Sequence, residues 1–469
     1  MPSDIDYFFN PSSIAVIGAS RNPKKFGHII FRNLNNDAVK TDAEGVIRSA
    51  SSVFGKKVFP VNPKAEEILG KKCYKHISDI GEPVDLAVIV VPAESVVQSV
   101  AECREKGVKA AVIITSGFAE AGNAAGEEAV KKAAGSMRVV GPNVIGIYDA
   151  YSGVDTVFNL RHRQQRPRPG NIAFISQSGA FGSAALDLAS FDGIGISKFV
   201  SLGNMADVNE TDMLSYLLSD EKTGVICMYV EGSKDYRALY GKLKSSRKPV
   251  IVVKAGKTSQ TRKAVASHTA SMAGESRIFS GMLRQSGALE TDAESLFDMA
   301  KIFSQPVMRN SRVHVVTDGG GFGILAADAL VQNGMRLSKL SDKAVAKIRG
   351  CVPSYATVSN PLDLTGDADN ARYKSVLPLV LGDKNVDALL VILLMQISSL
   401  DSDIVEVLAS QRRFGKPVIV CMAGGEYTNL HRKMLEEKGI PTYSYPERAV
   451  SALAGMYRYQ KMKRLRSQE

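Results

Sequence analysis

The chain has 469 residues, of which 45% are hydrophobic and 23% are charged, and its formal net charge is +11 at pH 7. These values are ordinary for a globular protein, and the length predicts roughly three domains. No apolar run approaches the ~20 residues of a membrane-spanning helix. Few aromatic residues lie among the basic ones and tryptophan is absent, so a base-stacking surface is not expected. We therefore predict neither a membrane nor a nucleic-acid partner.

The cysteines lie far apart and include no C-x-x-C pair; they are Cys73, Cys103, Cys227, Cys351 and Cys421. This spacing argues against a disulfide framework and a zinc ribbon, and we expect no metal site. The amino terminus is acidic and lacks the basic and apolar regions of a signal peptide. Both observations favour a reducing, cytoplasmic location.

Residues 1 to 150 alternate predicted strands with predicted helices. A buried strand begins at Ile14, and further strands are predicted at Val58–Val61, Leu86–Val91, Ala111–Thr115 and Arg138–Val140. Helices are predicted at Glu94–Lys106 and Ala124–Ala133. The alternation is typical of a parallel sheet covered on both faces. We expect a Rossmann-type domain, with an inserted polar surface loop over residues 38–57.

Two further α/β units are predicted, over residues 151–303 and 304–469. The second unit follows a charged connection, Arg161–Gly170, and has predicted strands from Ile172, at Gly224–Val230 and at Val250–Lys254. The third unit has predicted strands from Val313, at Ala388–Leu394 and at Val418–Met422. We interpret the basic clusters Arg161–Arg168 and Arg458–Arg466 as solvated faces.

The second and third units open with similar glycine turns. Ser178-Gly-Ala-Phe-Gly182 aligns with Gly319-Gly-Gly-Phe-Gly323, each between a strand and an alanine-rich helix. Free backbone N–H groups at a helix start favour a phosphate. The alternative is that the glycines only let the strand and the helix pack closely.

A third signal is His268, which lies among the small residues of Ala264–Glu275. An imidazole with no bulky neighbours is accessible to a reacting surface, which suits a nucleophile or a proton carrier. The alternative is a polar loop whose histidine bonds to its own backbone.

The first glycine turn, Gly18–Gly27, does not follow the G-x-G-x-x-G pattern of dinucleotide-binding proteins. The next strand ends in Asn62-Pro-Lys64, without the acid that binds the ribose of NAD. Asparagine and lysine suit a phosphorylated ribose, so coenzyme A is favoured over NAD and an NAD oxidoreductase is disfavoured. Gly256-Lys257-Thr258 lacks the first glycine of a Walker A motif, since Ile251 occupies that position.

With these features together, the chain resembles the nucleoside-diphosphate-forming acyl-CoA synthetases, relatives of succinyl-CoA synthetase. It is most similar in pattern to the alpha subunits of archaeal-type ADP-forming acetyl-CoA synthetases. The motifs that carry the resemblance are Ile17-Gly-Ala-Ser20, Phe59-Pro-Val-Asn-Pro-Lys64, Ile114-Thr-Ser-Gly-Phe-Ala-Glu120, Gly141-Pro-Asn143, Ile175-Ser-Gln-Ser-Gly-Ala-Phe-Gly182, Ser267-His-Thr269 and Asn360-Pro-Leu-Asp-Leu-Thr-Gly366.

The resemblance implies a Rossmann-type CoA-binding domain over residues 1–150 and two flavodoxin-like domains over 151–303 and 304–469. It also implies a separate ATP-grasp beta subunit that binds ADP or ATP with Mg, in an α2β2 assembly. Acyl-CoA and phosphate would form an acyl phosphate and free CoA. The acyl phosphate would phosphorylate His268, which then passes the phosphoryl group to ADP.

Residue roles follow from the same resemblance. Glu231 would hold the second ring nitrogen of His268; the alternative is an ordinary exposed loop glutamate. The implied phosphate contacts are Ser178, Gly179, Gly319, Gly320 and Gly321. The implied CoA contacts are Gly18, Ser20, Lys25, Asn62, Lys64, Val91, Pro92, Ser116 and Asn143.

Three features depart from the family pattern. Ala270 replaces a common glycine, Asp318 replaces a common asparagine, and residues 38–57 replace a short link at the rim of the CoA site. An acid at position 318 is mildly unfavourable for a phosphate. A non-catalytic CoA- or nucleotide-sensing protein is the alternative function, and it would need neither His268 nor Glu231. The acid substrate and the choice between ADP and GDP stay open.

Overall fold

A computed structural model describes residues 4–35, 54–258, 260–261 and 276–466. The chain forms two compact units, Met1–Phe191 with Gly195–Glu290, and Asp192–Ile194 with Thr291–Glu469. Both units are α/β structures, as predicted. His268, Ala270 and most of the predicted insertion lie outside the described residues. Among the residues that are described, no helix is long and apolar enough to cross a membrane.

The first sheet has the strand order β2-β1-β5-β6-β7, and all its strands are parallel. Its strands are β1 (Ser13–Ile17), β2 (Lys57–Val61), β5 (Leu86–Ile89), β6 (Ala110–Ile113) and β7 (Arg138–Val140), and β3 (Glu67–Ile68) and β4 (Lys71–Lys72) form a separate hairpin. The helices are α1 (Phe26–Leu34), α2 (Ala93–Glu105) and α3 (Ala124–Ala134). Every residue of β1, β5 and β6 is buried, because parallel strands are covered on both faces. The predicted Rossmann-type fold is confirmed.

The second sheet has the order β13-β12-β11-β9-β10-β8. Its strands are β8 (Ile147–Asp149), β9 (Pro169–Ser176), β10 (Ile196–Ser201), β11 (Val225–Val230), β12 (Val250–Lys254) and β13 (Leu289–Thr291). The helices are α4 (Gly179–Phe191), α5 (Glu210–Ser219), α6 (Tyr236–Ser245) and α7 (Ser276–Ser286). Apart from β8, the strands lie in the spatial order β10-β9-β11-β12-β13. Counted from β9, this is the order 2-1-3-4-5 of the flavodoxin fold.

Strands β8 and β10 are not among the predicted strands. Lys198 interrupts the apolar pattern of β10, yet its side chain is buried and forms ion pairs with Asp149 of β8 (3.3 Å) and Asp220 (3.0 Å). Strand β8 pairs antiparallel with β10, so the chain already enters the second sheet before residue 150. These ion pairs, between residues far apart in the sequence, allow β10 to bury a lysine.

The connection after β8 also differs from its prediction as a solvated face. Arg161 and Arg166 are buried, and both form ion pairs with the fully buried Asp155, at 2.9 and 3.1 Å. Arg166 further donates to backbone carbonyls, including that of Gln164 at 2.7 Å. The interpretation of these two arginines as solvated is therefore wrong. Isolated charges are costly to bury, but paired and hydrogen-bonded ones are tolerated.

The third sheet has the order β16-β17-β14-β18-β19-β20, with β15 also paired to β14. Its strands are β14 (Arg312–Thr317), β15 (Arg336–Leu337), β16 (Thr357–Val358), β17 (Leu362–Asp363), β18 (Ala388–Ile392), β19 (Val418–Cys421) and β20 (Thr442–Tyr443). The helices are α8 (Leu296–Lys301), α9 (Gly320–Gln332), α10 (Asp342–Arg349), α11 (Asn370–Leu381), α12 (Ile404–Ala409), α13 (Glu426–Glu437) and α14 (Pro446–Arg466). From β17 to β20 the flavodoxin order recurs.

Candidate functional site

In the first sheet β1 lies between β2 and β5, in the second β9 lies between β10 and β11, and in the third β14 lies between β17 and β18. The chain therefore reverses its direction of winding beside β1, β9 and β14. Ligands of open α/β sheets bind at such reversals, outside the carboxyl ends of the strands. The reversals lie between β1 and β5, between β9 and β11, and between β14 and β18. Strands β1, β9 and β14 each end in one of the glycine turns, so the three turns are the candidate sites.

We call the side of each sheet where the strands' carboxyl ends lie the first, second and third edge, in chain order. All the residues implied for CoA lie at the first edge. They follow the carboxyl ends of all five parallel strands: Gly18, Ser20 and Lys25 after β1, Asn62 and Lys64 after β2, Val91 and Pro92 after β5, Ser116 after β6, and Asn143 after β7. Their grouping follows from the parallel sheet, since successive strand ends meet at one edge.

Close backbone packing explains two glycines of the first turn. Gly18 has φ +89°, and a Cβ there would lie 2.4 Å from the carbonyl oxygen of Val90. A Cβ on Gly27 would lie 2.1 Å from the carbonyl oxygen of Gly18. The turn can therefore fold tightly over the end of β1 only with glycine at both positions. Lys25, within this turn, and Lys64, after β2, are both exposed.

Asn62 connects two loops at this edge through hydrogen bonds. Its Nδ2 donates to the carbonyl of Ala19 at 2.7 Å, and its Oδ1 accepts from the backbone N–H of Lys64 at 2.8 Å. The side chain therefore ties the loop after β2 to the loop after β1. Asn62 positions the loops that carry Ser20 and Lys64.

The second edge is organised by Gln177, directly before the glycine turn. Its Oε1 accepts from the backbone N–H groups of Glu231 (2.6 Å) and Gly232 (3.1 Å), and its Nε2 donates to the carbonyl of Gly232 at 2.8 Å. The amide thus bridges the ends of β9 and β11 and holds the backbone of Glu231 beside Ser178 and Gly179. Sequence reasoning assigned no role to Gln177, although its place at a strand end before a glycine turn was a usable signal.

Glu231 is buried, with only 3% of its surface exposed. The alternative of an ordinary exposed loop glutamate is therefore wrong. The ammonium of Lys254 donates to the backbone carbonyl of Glu231 at 2.7 Å. Burial, and to a lesser extent the charge of Glu231 and a hydrogen bond with it, raise the pKa of Tyr229 to about 12. Glu231 is therefore a buried acid beside a phenol and near an ammonium group, and an acid of this kind can orient an imidazole and stabilise its cation.

The third edge carries acids at the corresponding turn. Asp318 is 3% exposed and accepts from the backbone N–H of Leu394 at 3.1 and 3.2 Å. The pKa of Asp318 is raised to about 6, mainly by burial and to a lesser extent by the charge of Asp363, against the opposing hydrogen bonds from Leu394 and Tyr373. A Cβ on Gly320 would lie 2.7 Å from Oδ2 of Asp363. Two carboxyl groups near Gly319, Gly320 and Gly321 weaken this turn as an anion site.

Comparisons with known proteins agree with this geometry. Residues 12–150 match a CoA binding domain, residues 169–303 a succinyl-CoA ligase like flavodoxin domain, and residues 313–466 a ligase-CoA domain. The chain is 38% identical to the alpha subunit of acetate–CoA ligase [ADP-forming] II from Pyrococcus furiosus, over 96% of both chains. It is 40% identical to acetate–CoA ligase [ADP-forming] from Methanocaldococcus jannaschii, covering 98% of this chain and 64% of that protein.

A solved structure shows the same fold. The dinucleotide forming acetyl-coenzyme A synthetase 1 of Ca. Korarchaeum cryptofilum, in complex with phosphate and ADP, matches with a TM-score of 0.87 and 37% identity, over 98% of this chain and 99% of that chain. The resemblance drawn from the sequence motifs is thereby confirmed. The chain belongs to the family of the ADP-forming acetate–CoA ligase alpha subunits.

Proposed function

We propose that the chain is the alpha subunit of an ADP-forming acyl-CoA synthetase. It converts acyl-CoA, phosphate and ADP into the acid, CoA and ATP, through an acyl phosphate and a phosphohistidine at His268. The observation that carries the proposal is the second edge, where a buried Glu231 is held beside the glycine turn of Ser178 and Gly179. A CoA- or nucleotide-sensing protein has no need of a buried acid whose backbone is held by hydrogen bonds to Gln177.

In the first step a phosphate oxygen attacks the thioester carbonyl. The C–S bond breaks, an acyl phosphate forms and CoA leaves as the thiol with a proton from the phosphate. The residues implied for CoA hold the thioester at the first edge. The backbone N–H groups of Ser178 and Gly179 stabilise the phosphate, because such transfers depend on positioning and electrostatics.

In the second step a ring nitrogen of His268 attacks phosphorus, and the P–O bond to the acyl group breaks to release the acid. Glu231 accepts the N–H of the other ring nitrogen and stabilises the cationic ring. The phosphohistidine then transfers its phosphoryl group to ADP, which regenerates the imidazole. Gly319, Gly320 and Gly321 provide a second, weaker phosphate contact.

We assign CoA binding to residues 1–150, the phosphohistidine chemistry to 151–303, and a supporting phosphate contact to 304–469. The nucleotide site, with its Mg, lies on an ATP-grasp beta subunit, which pairs with this chain in a cytoplasmic α2β2 assembly. The M. jannaschii relative extends well beyond the region that this chain matches. That additional length supports a need for a second component.

The test is a reconstitution. The purified chain is assayed for ATP formation from acyl-CoA, phosphate and ADP, alone and with an ATP-grasp beta subunit. We expect ATP only from the mixture, with labelled phosphate entering an acid-labile, base-stable protein adduct. ATP formation by the chain alone, unaffected by the partner, would contradict the proposal.

A further inference from the structure

In the unit Met1–Phe191 with Gly195–Glu290, the loop after β10 contacts both the first and the second edge. Asn204 is 5% exposed and lies in the loop that follows β10. Its backbone N–H donates to the carbonyl of Pro142 at 3.0 Å, and the N–H of Ala206 donates to the carbonyl of Gly141 at 3.0 Å. The loop after β10 is therefore bonded to the loop after β7, which carries the CoA residue Asn143.

The side chain of Asn204 uses both ends of its amide. Its Nδ2 donates to Oε2 of Glu120 and to Oε2 of Glu127, the latter at 2.8 Å. Its Oδ1 accepts from Nδ2 of Asn143 at 3.3 Å. A neutral amide with two hydrogens can bridge two carboxylates and orient Asn143 at the same time.

Glu120 extends this connection to the turn that carries Ser116. Its Oε1 accepts from the backbone N–H of Gly117 at 2.6 Å. Burial alone would raise the pKa of Glu120, but hydrogen bonds from Asn204 and from the amides of Gly117 and Phe118 outweigh it and hold the pKa below its ordinary value. Asn204 therefore faces an ionised carboxylate that fixes the turn beside Ser116.

On its other side, Asn204 is joined to the second edge through Met205. The carbonyl of Met205 accepts from the ammonium of Lys234 at 3.0 Å, and its sulfur lies 3.6 Å from Nε2 of Gln177. Gln177 is the residue that holds the backbone of Glu231. One continuous set of contacts thus runs from the CoA turns, through Asn204 and Met205, to the phosphate edge.

We propose that Asn204 is a positioning residue that aligns the CoA edge with the phosphate edge. The inference rests on the proposed function and adds a residue to it. Attack of phosphate on the thioester needs the two edges to hold these groups at the correct relative position, because a misplacement of about 1 Å can cost roughly 10²-fold in rate. The later steps, which start from the acyl phosphate, do not use the CoA edge and do not need this alignment.

The experiment compares two routes to ATP in the enzyme assembled with its ATP-grasp partner. One route starts from acetyl-CoA, phosphate and ADP, and the other from acetyl phosphate and ADP. Asn204→Asp removes both donors and adds a third carboxylate beside Glu120 and Glu127. We expect the CoA route to fall on the order of 10²-fold and the acetyl phosphate route to stay near the wild-type rate.

Two further variants separate positioning from folding. Asn204→Asp/Glu120→Gln lets the new amide of residue 120 donate to the new carboxylate of residue 204, and it should recover much of the CoA route. Asn209→Asp makes the same chemical change in the same loop, but residue 209 is the N-cap of α5, where aspartate caps as well as asparagine. This control should support both routes at wild-type rates.

Each outcome is decisive. Equal losses in both routes, or no loss in either, would overturn the positioning role of Asn204. A double variant that recovers nothing would overturn the assigned contact with Glu120. A wild-type complex that makes ATP from acetyl phosphate but from no acyl-CoA would overturn the proposed function, and this inference with it.

Discussion

The glycine turns after β9 and β14 are built alike. In the first of them, Oγ of Ser176 donates to the carbonyl of Ser178 at 2.7 Å. In the other, Oγ1 of Thr317 donates to the carbonyl of Gly319 at 3.0 Å. Each turn is followed by a helix of 13 residues. The local sequence pattern therefore produces the same backbone arrangement twice.

The two turns differ in the residue that reaches across to the neighbouring strand. Gln177 contacts the chain after β11 through a neutral amide, whereas Asp318 contacts the chain after β18 through a carboxyl group. The amide both accepts and donates, while an ionised carboxylate only accepts and repels an anion. The same turn geometry therefore carries a neutral amide in one sheet and a carboxyl group in the other, and only the amide adds no charge that would repel an anion.

Removing the imidazole is the strongest test of the assignment of chemistry to the second turn. His268→Ala should abolish both ATP formation and the acid-labile, base-stable label from phosphate, because no other group is assigned to carry the phosphoryl group. The label is measured after incubation with acyl-CoA and labelled phosphate. His162→Ala, at an exposed histidine, is the control and should label normally. A label that persists in His268→Ala would contradict the assignment.

The second-largest loss of rate is expected from a change at Glu231, the acid at the second edge. Glu231→Gln keeps the shape of the side chain but removes its charge, and loss of such a partner costs on the order of 10²–10⁴ in rate. We expect slower labelling and slower transfer to ADP, with CoA affinity unchanged by calorimetry. Glu221→Gln, outside the site, is the control. Unchanged turnover in Glu231→Gln would remove Glu231 from the mechanism.

Gln177→Glu would place a carboxyl group at the turn after β9, as Asp318 does at the turn after β14. The variant loses the donor to the carbonyl of Gly232 and adds a negative charge beside the phosphate. One lost hydrogen bond of about 1–1.5 kcal/mol corresponds to roughly a tenfold loss of rate, and the KM for phosphate should rise. Steady-state kinetics with varied phosphate measure both. If the variant matched the wild type, charge at this position would not explain the difference between the turns.

Asp318→Asn makes the reverse change and should have the smallest effect on turnover. The fold raises the pKa of Asp318 to about 6 from 3.8, so the folded state favours the protonated acid. Wild-type stability therefore falls as pH rises from about 4 to about 6, and the variant lacks this loss. We expect the variant to be more stable by about 3 kcal/mol at pH 7.5 and by only about 0.5 kcal/mol at pH 4.

Denaturant unfolding at the two pH values measures this difference. Asp328→Asn changes the same charge at an exposed position of α9 and should leave stability unchanged at both. A gain for Asp318→Asn that is equal at pH 4 and pH 7.5 would show that burial of the charged acid is not its cause.

Several features of the site could be predicted because they depend on neighbouring residues. Gly18 is required by its own backbone angle, and the turns at Ser178 and Gly319 follow continuous apolar strands. Gln177 lies within a recognised motif, but its role could not be predicted, because the backbone N–H groups of Glu231 and Gly232 that it accepts from are more than 50 residues away. The structural setting of His268 stays a prediction.

The sequence by itself determined the family, the strands β1, β9 and β14 and the glycine turns that follow them, since strand pattern and turn geometry are local properties. Tertiary structure alone decided that Glu231 is buried, that Asp155 buries two arginines, and that Asn204 joins two edges. Whether a charged or polar side chain faces water or a partner depends on what distant strands bring beside it. Burying such a group is favourable only when those partners satisfy its charge and hydrogen bonds.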